Sequence, residues 1–138
     1  MEQAVETYRG AAAPWECDVT EHFTLAFYAD RIAIAEASFA EELGLLDTLR
    51  QGGFARRYDI RLARELRAGS AFQIDSRVLG RDGGLRLGHR VVNSVTGETA
   101  TWFDVQWEGV EFALPSEWVA EWDGPSFEPR AGPQISAV

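Results

Sequence analysis

The sequence predicts an α+β fold in which an antiparallel sheet covers one long apolar helix. Two observations predict it. Between Leu25 and Leu43, apolar residues recur at spacings of three and four (Leu25, Tyr28, Ile32, Ala35, Phe39, Leu43), the period of one helix face. From Phe54 to Trp107 the period changes to two, with turn signals between the runs, which is the pattern of strands. A helix that comes early and a sheet that mostly follows it leave a short list of two-layer folds.

The elements follow in order. Ala4 to Cys17 reads as extended, with Pro14 suited to an edge or a strand end. Residues 18–24 are irregular. Thr24 is an N-cap candidate for the helix, and Gly44 is its C-terminal stop. From Ile32 to Ala40 the only charge is Glu36, and a helix so nearly apolar all round is usually a buried one. Leu45 to Arg50 adds one more turn before Gly52-Gly53. Tyr58, Ile60, Leu62 and Leu66 then alternate with Asp59, Arg61, Glu65 and Arg67, while Arg56 and Arg64 interrupt the apolar face. After Ala68-Gly69 comes Phe72 to Val78. Asp82-Gly83-Gly84 signals a hairpin into Leu85 to Asn93, and Thr96-Gly97-Glu98 turns into Ala100 to Trp107. These strands are expected to form a meander of about four. Ser116 to Trp122 is expected to be a short helix. Residues 1–122 form one domain, and 123–138, with three Pro and two Gly, form a tail that is either disordered or an arm on a neighbouring subunit.

Composition narrows the function. A chain of 138 residues is one domain, large enough to fold on its own core. One cysteine excludes an internal disulfide and a four-cysteine zinc site, and two histidines argue against any metal. No apolar run is long enough to span a membrane, and the first ten residues lack a signal-peptide profile, so the cytoplasm is the expected location. The net charge of −9 argues against nucleic acid. Only residues 51–110 are net positive, with nine Arg against seven acids, so a small anionic ligand would find favourable charge there. All 13 basic residues are Arg, which removes lysine Schiff-base chemistry.

Asp18 is the candidate that carries chemistry. It stands in a loop just ahead of a helix. A helix start presents unpaired N–H groups and the positive end of the dipole, which can hold a carbonyl oxygen as it becomes an oxyanion. A carboxylate upstream can attack that carbonyl or deprotonate a water. The plainer alternative is that Asp18 caps a turn.

The segment Trp15-Glu-Cys-Asp18-Val-Thr-Glu21-His22-Phe-Thr24-Leu25-Ala-Phe-Tyr28 resembles the signature of the 4-hydroxybenzoyl-CoA thioesterase family of hotdog-fold proteins. Asp18, His22 and Tyr28 match it. Glu21 replaces its usual Gly, and Thr24 its usual Asn. Leu43-Gly44-Leu45, Arg67-Ala-Gly69 and His89-Arg-Val-Val-Asn93 fit as well, so the resemblance covers about residues 4–114. It implies a long central helix wrapped by a five-stranded antiparallel sheet, a homodimer or homotetramer with sites between subunits, and hydrolysis of an acyl-CoA thioester. Coenzyme A enters as part of the substrate, and no further cofactor or metal is implied. Asp18 would be nucleophile or general base, and a backbone N–H near Leu25 the oxyanion donor. His22 and Thr24 would orient the acid or a water, and Glu21 and Tyr28 would border the substrate.

Other readings stay open beside this one. A hotdog protein can bind acyl-CoA without catalysis or serve as an accessory subunit. A hydratase is disfavoured, because the helix has no histidine. Glu36 is either a helix carboxylate with a catalytic role or the partner of a sheet Arg. The Arg residues at 56, 57, 61, 64 and 67 either pair across strands or, at Arg57 and Arg61 especially, meet a phosphate of coenzyme A. Cys17 with His22 lacks any local cysteine-nucleophile signature. His89 reads as a hydrogen-bonded structural histidine, and most of the five Trp read as core or subunit interface.

Overall fold

Burial along the long helix follows the spacing of three and four. Tyr28, Ile32, Ala35, Phe39 and Leu43 are all buried, so one stripe of α1 (Leu25–Glu42) supplies its side of the core. These residues belong to a computed structural model that describes residues 4–17, 25–80, 83–122 and 124. Gly44 ends the helix as expected: its φ is +75° and its N–H bonds the carbonyl of Glu41 at 3.0 Å. Glycine takes that left-handed conformation without a Cβ clash. A short α2 (Leu46–Gln51) follows.

The opposite side of α1 departs from expectation. Ala26, Ala29, Ala33 and Ile34 are exposed, with Ile34 at 52%. The apolar residues all round α1 therefore do not mean burial all round. The sheet covers one face and leaves the other bare.

The strands are β1 (Ala4–Ala11), β2 (Arg56–Leu62), β3 (Ala71–Gly80), β4 (Gly84–Asn93) and β5 (Thr99–Glu108). All pairings are antiparallel, in the order β1-β3-β4-β5-β2. The expected meander holds for β3, β4 and β5 only. β2 pairs with β5 rather than with its successor. The connection across residues 63–70 is longer than a hairpin turn, and it lets the chain leave one sheet edge for the interior.

Three boundaries also shift. β1 stops at Ala11, and Pro14–Glu16 is a 3₁₀ turn, because proline fixes φ and has no N–H to give a ladder. β2 stops at Leu62, where the N–H groups of Ala63 and Arg64 both turn to the carbonyl of Ala100. Ser116–Trp118 is a single 3₁₀ turn rather than a helix reaching Trp122. Val119 leaves it to bridge Val78, and the Ala120 N–H bonds the Val78 carbonyl at 2.9 Å.

The inner face of the sheet is built in cross-strand rows. Ser76, His89, Phe103 and Ile60 form one row; Val78, Leu87, Val105 and Tyr58 the next; Leu85, Trp107 and Arg56 the third. Phe39, Trp107, Phe72 and Phe103 are the bulkiest buried side chains. Truncating one such aromatic to alanine costs about 3–5 kcal/mol. The outer face alternates with this and is charged. Asp75 accepts from Arg77 at 2.7 Å and from Arg90 at 3.0 Å, and Asp104 takes a forked contact from Arg86. The chain beyond Val119 lies over this face. Arg77 donates to the Glu121 carbonyl at 3.1 Å, and the Trp122 ring sits where a Cβ at Gly88 would be, 2.6 Å away. Among the described residues no helix is long and apolar enough to cross a membrane.

Candidate functional site

The groove between α1 and the edge strand β2 holds the chemistry that the described residues offer. Ala29, Ile32 and Ala33 line it from α1, and Ile60, Tyr58 and Arg56 from β2. Phe103 of β5 closes its back. The cavity measures about 290 Å³. Small residues at 29 and 33 leave room that larger side chains would fill. Period two places Arg56, Tyr58 and Ile60 on the same face of β2, so the strand changes from apolar to polar along the groove.

Behind the polar end lies Glu36, 1% exposed. Its Oε2 accepts from the Tyr58 hydroxyl at 2.6 Å and its Oε1 from the Trp107 indole N–H at 2.5 Å. The Arg56 guanidinium stands 3.8 Å away. Register explains the meeting: Trp107 pairs with Arg56, and Val105 with Tyr58, so all three partners are neighbours under one turn of α1. Burial pushes the Glu36 carboxyl above the usual range, while the two hydrogen bonds and Arg56 pull it back. Burial, then the charge of Glu36, raises the Tyr58 hydroxyl. Of the two readings of Glu36, the ion pair with a sheet Arg is the one the contacts display. Tyr58 and Trp107 as its partners are absent from the sequence reading. A lone carboxylate in an apolar helix must find donors, and that signal could have pointed to a Tyr or Trp on the facing strands.

A second polar chain runs under the helix. Thr7 Oγ1 donates to the Ile74 carbonyl at 3.3 Å and lies 2.8 Å from Ser76 Oγ. Ser76 Oγ lies 2.6 Å from His89 Nδ1. With the Thr7 proton so committed, Ser76 donates to Thr7 and accepts from His89 Nδ1–H. His89 Nε2 is then a bare lone pair, with no hydrogen-bond partner among the described residues. Complete burial lowers the imidazole pKa to about 4. His89 is the hydrogen-bonded structural histidine its strand position suggested.

The residues singled out for catalysis fall unevenly. Asp18, Glu21, His22 and Thr24 lie outside the described residues. Leu25 is the first described residue of α1. Tyr28 is 2% exposed, its ring 6.3 Å from that of Phe103 and its hydroxyl beside the Thr101 side chain. Arg57 and Arg61 are on the outer face of β2, opposite the groove; Arg57 is 3.9 Å from Asp59, and Arg61 is exposed. Arg64 pairs with Glu98 at 3.3 Å. Cys17 Sγ contacts the Ala13 carbonyl at 3.6 Å. Trp107 is core, whereas Trp15 is 81% exposed. Among the described residues no group of His, Cys, Asp and Glu could hold a metal ion.

No family model matches the sequence, and neither does any curated protein. Solved structures do match. A candidate thioesterase from Pseudomonas putida is 18% identical, with 98% of this chain and 97% of that chain covered and a TM-score of 0.67. An acyl-ACP thioesterase from Bacteroides thetaiotaomicron is 15% identical over 93% of this chain, with a TM-score of 0.72; the match spans 58% of that longer chain. A thioesterase from Thermus thermophilus, complexed with coenzyme A and Zn, is 23% identical, with 85% of this chain and 91% of that chain covered and a TM-score of 0.62. At these identities the likeness is one of fold, and the chain has the hotdog fold.

Proposed function

We propose that this protein is a thioesterase that hydrolyses an acyl-CoA to the free acid and coenzyme A. The observation that carries the proposal is the cavity between α1 and β2, walled by Ile32, Ile60 and Phe103, on a fold shared with thioesterases. The thioester carbonyl would rest against a backbone N–H near Leu25. The dipole and the backbone N–H near Leu25 stabilise the oxyanion that forms. Asp18 either attacks the carbonyl carbon or takes a proton from the attacking water. The C–S bond breaks, the thiolate leaves and is protonated, and water supplies the oxygen of the new carboxylate. His22 and Thr24 orient Asp18 or the water, Glu21 borders the thioester, and Tyr28 supports the wall beside it. Arg57 and Arg61, on the face of β2 opposite the groove, would meet the coenzyme A phosphates of a substrate seated on a second subunit.

A homodimer or homotetramer is part of the proposal. β2 is an edge strand, with Ile60 at 38% and Leu62 at 58% exposure. An uncovered apolar edge of this kind pairs readily with a second chain.

Thiol release from short, long, branched and aromatic acyl-CoAs tests the assignment. One or more of them should be hydrolysed, and Asp18→Asn should lower kcat by about 100-fold or more while leaving the unfolding temperature unchanged. Saturable acyl-CoA binding without turnover would replace hydrolysis by a binding role.

A further inference from the structure

The two most exposed large apolar side chains among the described residues, Val95 at 84% and Trp15 at 81%, stand at the same end of the sheet. Trp15 follows β1, and Val95 follows β4. Two adjacent residues tie their loops together: the Ser70 carbonyl accepts from the Ala12 N–H and the Ala71 carbonyl from the Ser94 N–H, both at 2.9 Å. We propose that this end of the molecule docks on the surface of a zwitterionic phospholipid bilayer. Trp15 and Val95 enter the interface, and Arg67 beside them meets the head-group phosphates. The docking itself needs no reaction at α1.

The backbone fixes the exposure. Trp15 sits in the 3₁₀ turn Pro14–Glu16, closed by the Cys17 N–H on the Pro14 carbonyl at 3.3 Å. Val95 is on a turn whose Asn93 Oδ1 accepts from the N–H groups of Val95 and Thr96, at 2.9 and 3.1 Å. The turn 67–70 joins the first of these, its Gly69 N–H on the Ala12 carbonyl at 2.7 Å, and closes on itself through the Ser70 N–H and the Arg67 carbonyl at 2.9 Å. Arg67 is exposed there. A single exposed apolar side chain needs no explanation. Two held outward on turns that meet at Ser70-Ala71 form a built feature.

Chemistry selects the partner. A protein partner needs a continuous matched patch, whereas a fluid bilayer fills in around separate projections. An indole settles at the level of the head groups with its apolar body inward. An Arg lays its stem on apolar surface and gives its guanidinium to phosphate. The chain carries a net charge of −9, so an anionic surface repels it, and insertion of the two apolar tips must supply the binding. That is why the bilayer is zwitterionic. Trp15 precedes Asp18 by three residues, at most about 11 Å of chain. A docked molecule therefore holds that acid near the interface in which long-chain acyl thioesters collect. This consequence, unlike the docking, rests on the thioesterase reading.

Co-sedimentation of the full chain with phosphatidylcholine vesicles tests the docking. Wild type should bind, added salt should not release it, and making the vesicles anionic with phosphatidylglycerol should weaken it. Trp15→Ser and Val95→Asn should each lower the partition coefficient about fivefold or more, and Arg67→Gln about threefold. Each of these side chains is exposed, so the variants should keep the wild-type unfolding temperature. Ile34→Asn removes an exposed apolar side chain on α1 and should leave partitioning unchanged. Brominated acyl chains should quench part of the tryptophan fluorescence, and Trp15→Phe should abolish that quenching while keeping most of the binding. Vesicle binding without turnover of any thioester would uphold the docking and defeat hydrolysis. Three results would overturn the proposal: no binding of wild type at millimolar lipid, an equal loss in Ile34→Asn, or vesicle binding intact in both Trp15→Ser and Val95→Asn. If those two variants instead changed the sedimentation coefficient, this end would be a contact between copies of the chain.

Discussion

His89 and Glu36 are both buried on the inner side of the sheet, and acid acts on them in opposite directions. An unfolded histidine takes up a proton near pH 6.5, while His89 in the fold waits until about 4. Between those values the unfolded chain binds more protons, so this group's contribution is complete above 6.5 and is lost as pH falls toward 4, by roughly 3 kcal/mol in all. Glu36 is raised instead. Its contribution is complete below the ordinary carboxyl range and declines as pH rises above it. The acid limb of stability is therefore the difference of two opposing slopes. His89→Gln should flatten the loss of stability between pH 6.5 and 4, and Glu36→Gln should steepen it. Urea midpoints across that range decide both; a His89→Gln limb as steep as wild type would show that other groups govern acid unfolding.

At the level of elements, the sharpest constraint is Gly88 in the middle of β4. Its missing Cβ is the space that Trp122 fills, and so it joins a central strand to the segment that crosses the outer face. Gly88→Val should push that ring away and cost about 1–3 kcal/mol, the usual effect of overpacking. The Ala120 amide, which now bonds Val78, should exchange its hydrogen faster, and hydrogen exchange would read this directly. Unchanged protection at Ala120 would mean that Trp122 does not hold the segment down. Nothing in the sequence pattern around Gly88 announces this contact. The helix and strands were legible because periods of 3.6 and two are local properties of Tyr28 to Leu43 and of Phe72 to Trp107. The pairing of β2 with β5 was not, because it joins residues about forty to fifty apart and leaves no local mark. The same gap hid the partners of Glu36. Its burial was written in the bland residues around it, but Tyr58 and Trp107 become neighbours only once that register exists.

For the molecule as a whole, the bare side of α1 and the open edge of β2 matter most. Leu62→Glu places a charge on that edge and should shift the protein toward monomer in sedimentation velocity. A sedimentation coefficient identical to wild type would remove the β2 edge as an association surface. The strand order has a consequence for how the chain comes into being. Both edge strands and α1 are made first, and the three strands that give them partners are made last. The ladder of β1 is complete only once Arg77 has left the ribosome, and that of β2 only once Trp107 has. At about 5–20 residues per second, the apolar stripe of α1 is outside the tunnel for several seconds before β5 exists to help cover it. During that interval the nascent protein is an apolar-faced helix between two unpaired strands. The order of strands in the finished sheet thus leaves the nascent chain's apolar helix waiting longest for the strands that cover it.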